Sequence, residues 1–201
     1  MSTHGRIKNP ELRAVLRADA LRAFAFRPLA PDGAWFKAST APTAGANTTT
    51  TTTTWTKAYC PGWPVVPVFV VTEDTGDTFT AVSMVYLGTD QFGEMMTETV
   101  AATNSSGTWT GTATKAYQTL FSAALTITGT VQSADRFTIG FVQTYGLGRR
   151  IKTASDVIAK LIDGAADAGT LSLTHQTWTF ATAPDAAIEA VLLVRPTHYY
   201  E

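Results

Sequence analysis

Seven consecutive threonines, Thr48 to Thr54, constrain the fold of this chain more than any other feature. Threonine is branched at Cβ, which restricts χ1, weakens helix and suits the pleated surface of a strand. The run is the extreme of a general bias, because threonine supplies roughly 36 of the 201 residues. Charged residues make up only 15%, against roughly 25% in ordinary soluble domains, so hydroxyl groups carry much of the polarity. A chain of this length buries one substantial core. The expected class is mainly β, an antiparallel β-sandwich or jelly-roll-like domain.

Turn punctuation supports that class. From Trp55 onward, Gly, Asp, Asn and Pro clusters recur roughly every 8 to 15 residues between short β-rich runs, the spacing of a sandwich rather than of alternating βα units. Strands are expected at 34–37, 65–72, 79–87, 95–100, 109–113, 117–128 and 137–142. Pro64 and Pro67 mark 65–72 as an edge, and the turns at Thr75-Gly76-Asp77 and Asp90-Gln91-Phe92-Gly93 suggest a β-meander. Residues 170–180 and 188–194 read as a closing hairpin. Residues 157–163 fit either a strand or a short helix capped by Ser155-Asp156.

The N-terminal part reads differently. Asn9-Pro10-Glu11 has the chemistry of a helix start, and Leu12, Val15, Leu16, Ala20 and Ala23 recur at helical spacing, so a helix is expected over about 10–24. Residues 38–54 read as a low-complexity linker or exposed edge, or else as an extended arm ordered against a neighbouring subunit. The expected division is therefore 1–54, a basic helix followed by a Pro/Thr-rich extended arm, and 55–201, the β-sandwich domain. Within 1–27, six cations against Glu11 and Asp19 leave a charge of +4, so the overall value of -1 makes the remainder -5.

Overall charge near neutrality argues against nucleic acid as the main partner. One cysteine, Cys60, excludes an intrachain disulfide and a Cys-rich zinc site. No early apolar run resembles a secretory h-region, and the longest apolar stretches are strand-sized, so neither export nor a membrane partner is expected. His4, His175 and His198 have no acid or Cys at ligand spacing, and His175 reads as an ordinary strand residue. Cys60, in Tyr59-Cys60-Pro61-Gly62-Trp63, reads as a buried structural thiol. Phosphate-binding and nucleophile-elbow glycine patterns are absent. Asp90 and Glu94 flank a turn but are too few for calcium. Trp35, Trp55, Trp63, Trp109 and Trp178 suit either a β core or a sugar-binding platform. Tyr199 and Tyr200, near the end of the sequence, suit contact with a neighbour. No cofactor and no enzymatic activity is expected.

One set of segments goes further. Leu87-Gly88-Thr89-Asp90-Gln91-Phe92-Gly93, then Thr97-Glu98-Thr99, Gly107-Thr108, Gly111 to Lys115-Ala116-Tyr117, Asp135 and Tyr145-Gly146-Leu147-Gly148 together resemble a pattern of small structural proteins of tailed bacteriophages. The resemblance covers about residues 68–152. It departs from the pattern at Tyr117, where Phe is usual, and in the three residues between Gly111 and Lys115. It implies a virion β-sandwich assembled in the bacterial cytoplasm, foremost a capsid decoration or cement protein, with a tail or neck component as the alternative. The implied partners are the major capsid protein or other virion subunits, with the chain itself a dimer or trimer. Expected contact residues are Arg6, Lys8, Arg13, Arg17, Arg22, Tyr199 and Tyr200. A carbohydrate- or receptor-binding module using exposed aromatics, or a polysaccharide-degrading enzyme with two converging carboxylates, are the readings from other classes.

Overall fold

The computed structural model describes residues 22–53, 55, 60, 62–76, 78–185 and 187–195. Among these the regular structure is antiparallel strand, with one 3-10 turn and no α-helix. Three sheets form. The two larger ones make the expected sandwich, and a smaller third sheet adjoins them.

The seven-stranded sheet is built on β4 (Val65–Thr72) and β10 (Arg136–Gly146). β4 reads Val-Val-Pro-Val-Phe-Val-Val-Thr and is buried on both faces, as a continuous apolar run requires. It lies between β10 and β8 (Thr108–Thr112), so it is an interior strand and not the expected edge. Pro67 is tolerated there because it pairs with Phe141 where the β4–β10 register breaks, before resuming at Tyr145 opposite Val65. A break in the ladder has no use for the N–H that proline lacks. β10 is long enough for two partners on its other edge: β2 (Asp32–Thr40) takes 137–141 and β14 (Thr177–Thr179) takes 144–146. β13 (Thr170–Ser172) and β7 (Thr103–Ser105) close the two ends.

The second sheet runs in the order β3 (Thr48–Thr53), β9 (Thr119–Thr128), β5 (Ala81–Thr89), β6 (Met95–Ala101). Only β5 and β6 are a sequential hairpin. The expected meander fails at its first step, because β4 belongs to the opposite sheet. Inward residues alternate along each strand. Val82, Met84 and Tyr86 of β5, with Leu120, Leu125 and Ile127 of β9, share one core with Phe69, Val71, Phe137 and Ile139 of the seven-stranded sheet. Thr48–Thr53 of the polythreonine run form β3, paired residue for residue with β9 from Thr48–Thr128 to Thr53–Ala123. Residues 32–53 thus supply two strands to the sandwich sheets.

The third sheet is β1 (Arg22–Phe26), β15 (Ala190–Val194), β11 (Val157–Ile162) and β12 (Ala165–Ala166). β15 pairs with β1 and β11 rather than closing a hairpin with the 170–180 segment. That segment is itself a hairpin, β13 and β14, with His175 in its turn rather than in a strand. A 3-10 turn, Ala154–Asp156, precedes β11, so the ambiguous 155–163 region holds both a turn and a strand. The expected helix over 10–24 is not supported: residues 22–24 are strand, and 10–21 lie outside the described residues. Arg-Ala-Phe-Ala-Phe has a period of two, which half-buries Phe24 and Phe26 and exposes the alanines. Phe26 stacks on Trp63 at 4.3 Å and meets Tyr145, Trp178 and Phe180 at 6.0–6.3 Å, an aromatic cluster that ties this sheet to the sandwich.

Candidate functional site

Of the expected contact residues, only Arg22 lies among the described ones; Arg6, Lys8, Arg13, Arg17, Tyr199 and Tyr200 lie outside them. Arg22 is exposed and opens β1 directly opposite Val194, the last residue of β15. The first and last described residues, Arg22 and Arg195, therefore lie at one corner of the fold. Arg195 is held there by its N–H, which donates to the Asp156 carbonyl at 2.7 Å.

Three of the segments that carry the phage resemblance, 87–93, 115–117 and 145–148, converge at one end of the sandwich, while Gly107-Thr108 and Asp135 lie at the opposite end of β4 and β10. Gly88 and Gly146 show why glycine is required. A Cβ on Gly88 would lie 2.1 Å from the Thr119 carbonyl oxygen, and one on Gly146 would meet Pro64, Gln91 and Ala116 at 2.8–3.1 Å. The 88–93, 115–117 and 145–148 segments pack too closely there for any side chain. Around them lies a groove of about 520 Å³, bordered by Asp90, Glu94, Lys115, Arg150, Lys152 and His175.

The polar groups of this groove hold its walls. The Asp90 carboxylate accepts the N–H groups of Phe92 and Glu94 at 2.8 and 2.9 Å, an Asx turn in place of a calcium ligand. Glu94 pairs with Arg150 at 2.5 Å, and the guanidinium lies 4.8 Å from the centre of the Phe92 ring. Gln176 is tied to Ile151 through both amide atoms, at 2.7 and 2.9 Å. The groove is lined by apolar side chains, among them Met96, Ile151 and Leu173, and by charged ones of both signs whose two acids are already committed.

Other acids follow the same rule. Glu98 accepts the Thr114 N–H and hydroxyl at 2.7 and 2.8 Å, and Asp167 accepts the Trp178 indole N–H at 2.8 Å and two backbone N–H groups. Each clamps a turn to a strand. No group of three or more His, Cys, Asp or Glu that would hold a metal occurs among the described residues. Cys60 is buried, and desolvation pushes its thiol up to about 12 despite a hydrogen bond to the Val65 backbone, far from a reactive thiolate.

The tryptophans are absorbed by packing. Trp109 and Trp178 are buried and Trp35, Trp55 and Trp63 half-buried. Trp63 donates to the Gly146 carbonyl at 2.7 Å while its ring stacks on Phe26, and Trp35 and Trp55 meet Phe141 and Phe36 edge-on. None of the five forms an exposed platform.

One surface escaped the sequence reading: the outer face of the β3-β9-β5-β6 sheet. Its central rows run Thr50, Thr126, Ser83, Ala101 and Thr52, Ala124, Val85, Thr99. Along all four strands the outward positions carry no charge. At one end a bulge opposite Leu87 and Gly88 makes Phe121 the extra residue of β9 and turns it outward. Leu87 (36% exposed), Phe121 (49%) and Met95 (62%) gather at that end, three of the four exposed large apolar side chains among the described residues; Ile158 on β11 is the fourth. The available signal was the lack of charge at alternate positions of four segments, which means nothing until the segments are known to be neighbours.

Comparison with protein-family models, with curated proteins and with solved structures finds no match to this chain.

Proposed function

We propose that this chain is a structural subunit of a tailed-bacteriophage virion, foremost a capsid decoration protein that stabilises an assembled shell through surface contacts. The observation that carries the reading is the shared corner at Arg22 and Val194. There the third sheet pairs Arg22 with Val194, and the two segments singled out for contact continue in sequence from these strands, one bearing Arg6, Lys8, Arg13 and Arg17, the other Tyr199 and Tyr200. Cationic side chains suit an acidic patch on a neighbour, and tyrosine rings supply buried anchors. The segment resemblance supports the phage assignment, and the glycine-dependent junction at Gly88 and Gly146 gives it a packing rationale. Many copies on one shell multiply a modest contact, because anything that binds only the assembled state stabilises it.

The test is cosedimentation of the purified chain with preassembled shells. Full-length protein is expected to pellet with shells and raise their melting temperature, while a chain lacking residues 1–21 and 196–201 stays in the supernatant. Equal pelleting by the truncated chain would remove the corner from the mechanism. Fractionating particles into heads and tails decides between decoration and a tail or neck position.

A further inference from the structure

We infer that the uncharged outer face of the β3-β9-β5-β6 sheet seats a second copy of this chain, packed face to face about a two-fold axis that crosses the strands. The inference adds a partner to the assembly reading above and rests on it only for its biological setting. It uses a surface distinct from the Arg22–Val194 corner.

Three properties of the face select a second copy. First, it holds no charge, whereas a well-solvated surface is roughly one-quarter to one-third charged. A charged partner finds nothing there to pair with, and two copies, each with a net charge of only -1, do not repel. Second, the face is long enough. Two outward rows cross all four strands and three more cross three, which at about 4.8 Å between strands and about 6.8 Å between rows span roughly 550 Å² in projection, and side-chain relief brings this towards the ~800 Å² per partner of a standard interface.

Third, its relief is self-complementary. Leu87, Phe121 and Met95 stand at one end, while the other end carries Ala81, Ser83 and Ala101. An axis lying in the interface and crossing the strands inverts strand direction, so the bulky end of each copy settles on the small end of the other. The small central residues Val85, Ala124 and Thr126 let two sheets approach to the usual ~10 Å. Residues of the row Thr52, Ala124, Val85, Thr99 lie on the axis, and each then faces itself.

That last consequence makes the test specific. The full chain is run by sedimentation velocity from low to high micromolar concentration, with V85R, V85E, and I158R as a control altering the fourth exposed apolar residue on a different sheet. Wild type and I158R are expected to be dimers, V85R and V85E monomers with dissociation constants raised at least ~100-fold, and an equal mixture of V85R and V85E a dimer again, because opposite charges meet across the axis. Restoration in the mixture also shows that both variants fold. A wild type that stays monomeric, a V85R protein that dimerises as well as wild type, loss of the dimer in I158R, or a mixture that stays monomeric each overturn the proposal. A monomeric wild type that still pellets with shells overturns the dimer and leaves shell attachment standing, whereas a dimer that never pellets does the reverse.

Discussion

Asp135 is fully buried, and each of its carboxylate oxygens takes a backbone N–H, from Asp74 at 2.8 Å and from Gln132 at 2.7 Å. It joins the loop after β4 to the turn before β10. Replacing it by alanine removes the acceptor of two part-buried N–H groups on exposed residues, so D135A is expected to lose about 1.5–3 kcal/mol of stability, the contribution of a hydrogen bond to a charged acceptor. D135N keeps one acceptor oxygen and falls between D135A and wild type. Urea-denaturation midpoints check this, and an unchanged midpoint in D135A removes Asp135 from the framework. Asp135 stood out in the sequence only as part of a resemblance, with no hint of a clamp, because its partner Asp74 lies 61 residues away. Gly88 and Gly146 likewise stood out only as parts of the resemblance. Their closest obstacles, the Thr119 carbonyl and the Pro64 side chain, belong to segments that only folding brings near.

At the scale of elements, the two N-terminal surprises have one cause. Arg-Ala-Phe-Ala-Phe and the threonine run are extended because of what they pair with, β15 and β9, both far away in sequence. Helical spacing through Ala20 and Ala23 suggested a helix running into this segment, but strand pairing and the burial of Phe24 and Phe26 override weak local periodicity. A chain beginning at residue 55 lacks β1, β2 and β3 and with them Phe26 and the buried Phe36, and it uncovers the edge of β9. It is expected to show no cooperative urea transition and no near-ultraviolet circular dichroism, while a chain beginning at residue 22 shows both. A sharp transition in the shorter chain would instead support 55–201 as an independent domain. The charge-free outer face belongs to this scale too: Thr50 and Thr126 approach to 3.2 Å through their hydroxyls across 76 residues of sequence.

For the molecule as a whole, the core sets a limit on alkaline stability. Burial pushes the Cys60 thiol from its ordinary 9.0 up to about 12, and raises Tyr145 and, with added repulsion from Glu98, Tyr86 and Tyr117. In the unfolded chain these groups ionise at their ordinary values, so between those values and the raised ones the unfolded state binds fewer protons. Stability then falls as pH rises. Melting temperature is expected to hold through neutrality and to decline from about pH 9 upward, more steeply beyond about pH 10 where tyrosines join; in C60A the first part of the decline is lost, as a pH series of thermal melts would show. A profile in C60A that matches wild type would remove the thiol as the cause. Local chemistry, above all β-branching and regularly placed turn residues, was enough by itself to determine a mainly β antiparallel protein and to locate most of its strands from β4 to β10, because both act within a few residues. Which sheet each strand joins, where the glycines are indispensable, which acids become clamps, and that four segments share an uncharged face were decided only in three dimensions. Those properties arise from pairing and burial between segments distant in the chain, for which a single sequence carries no local signal.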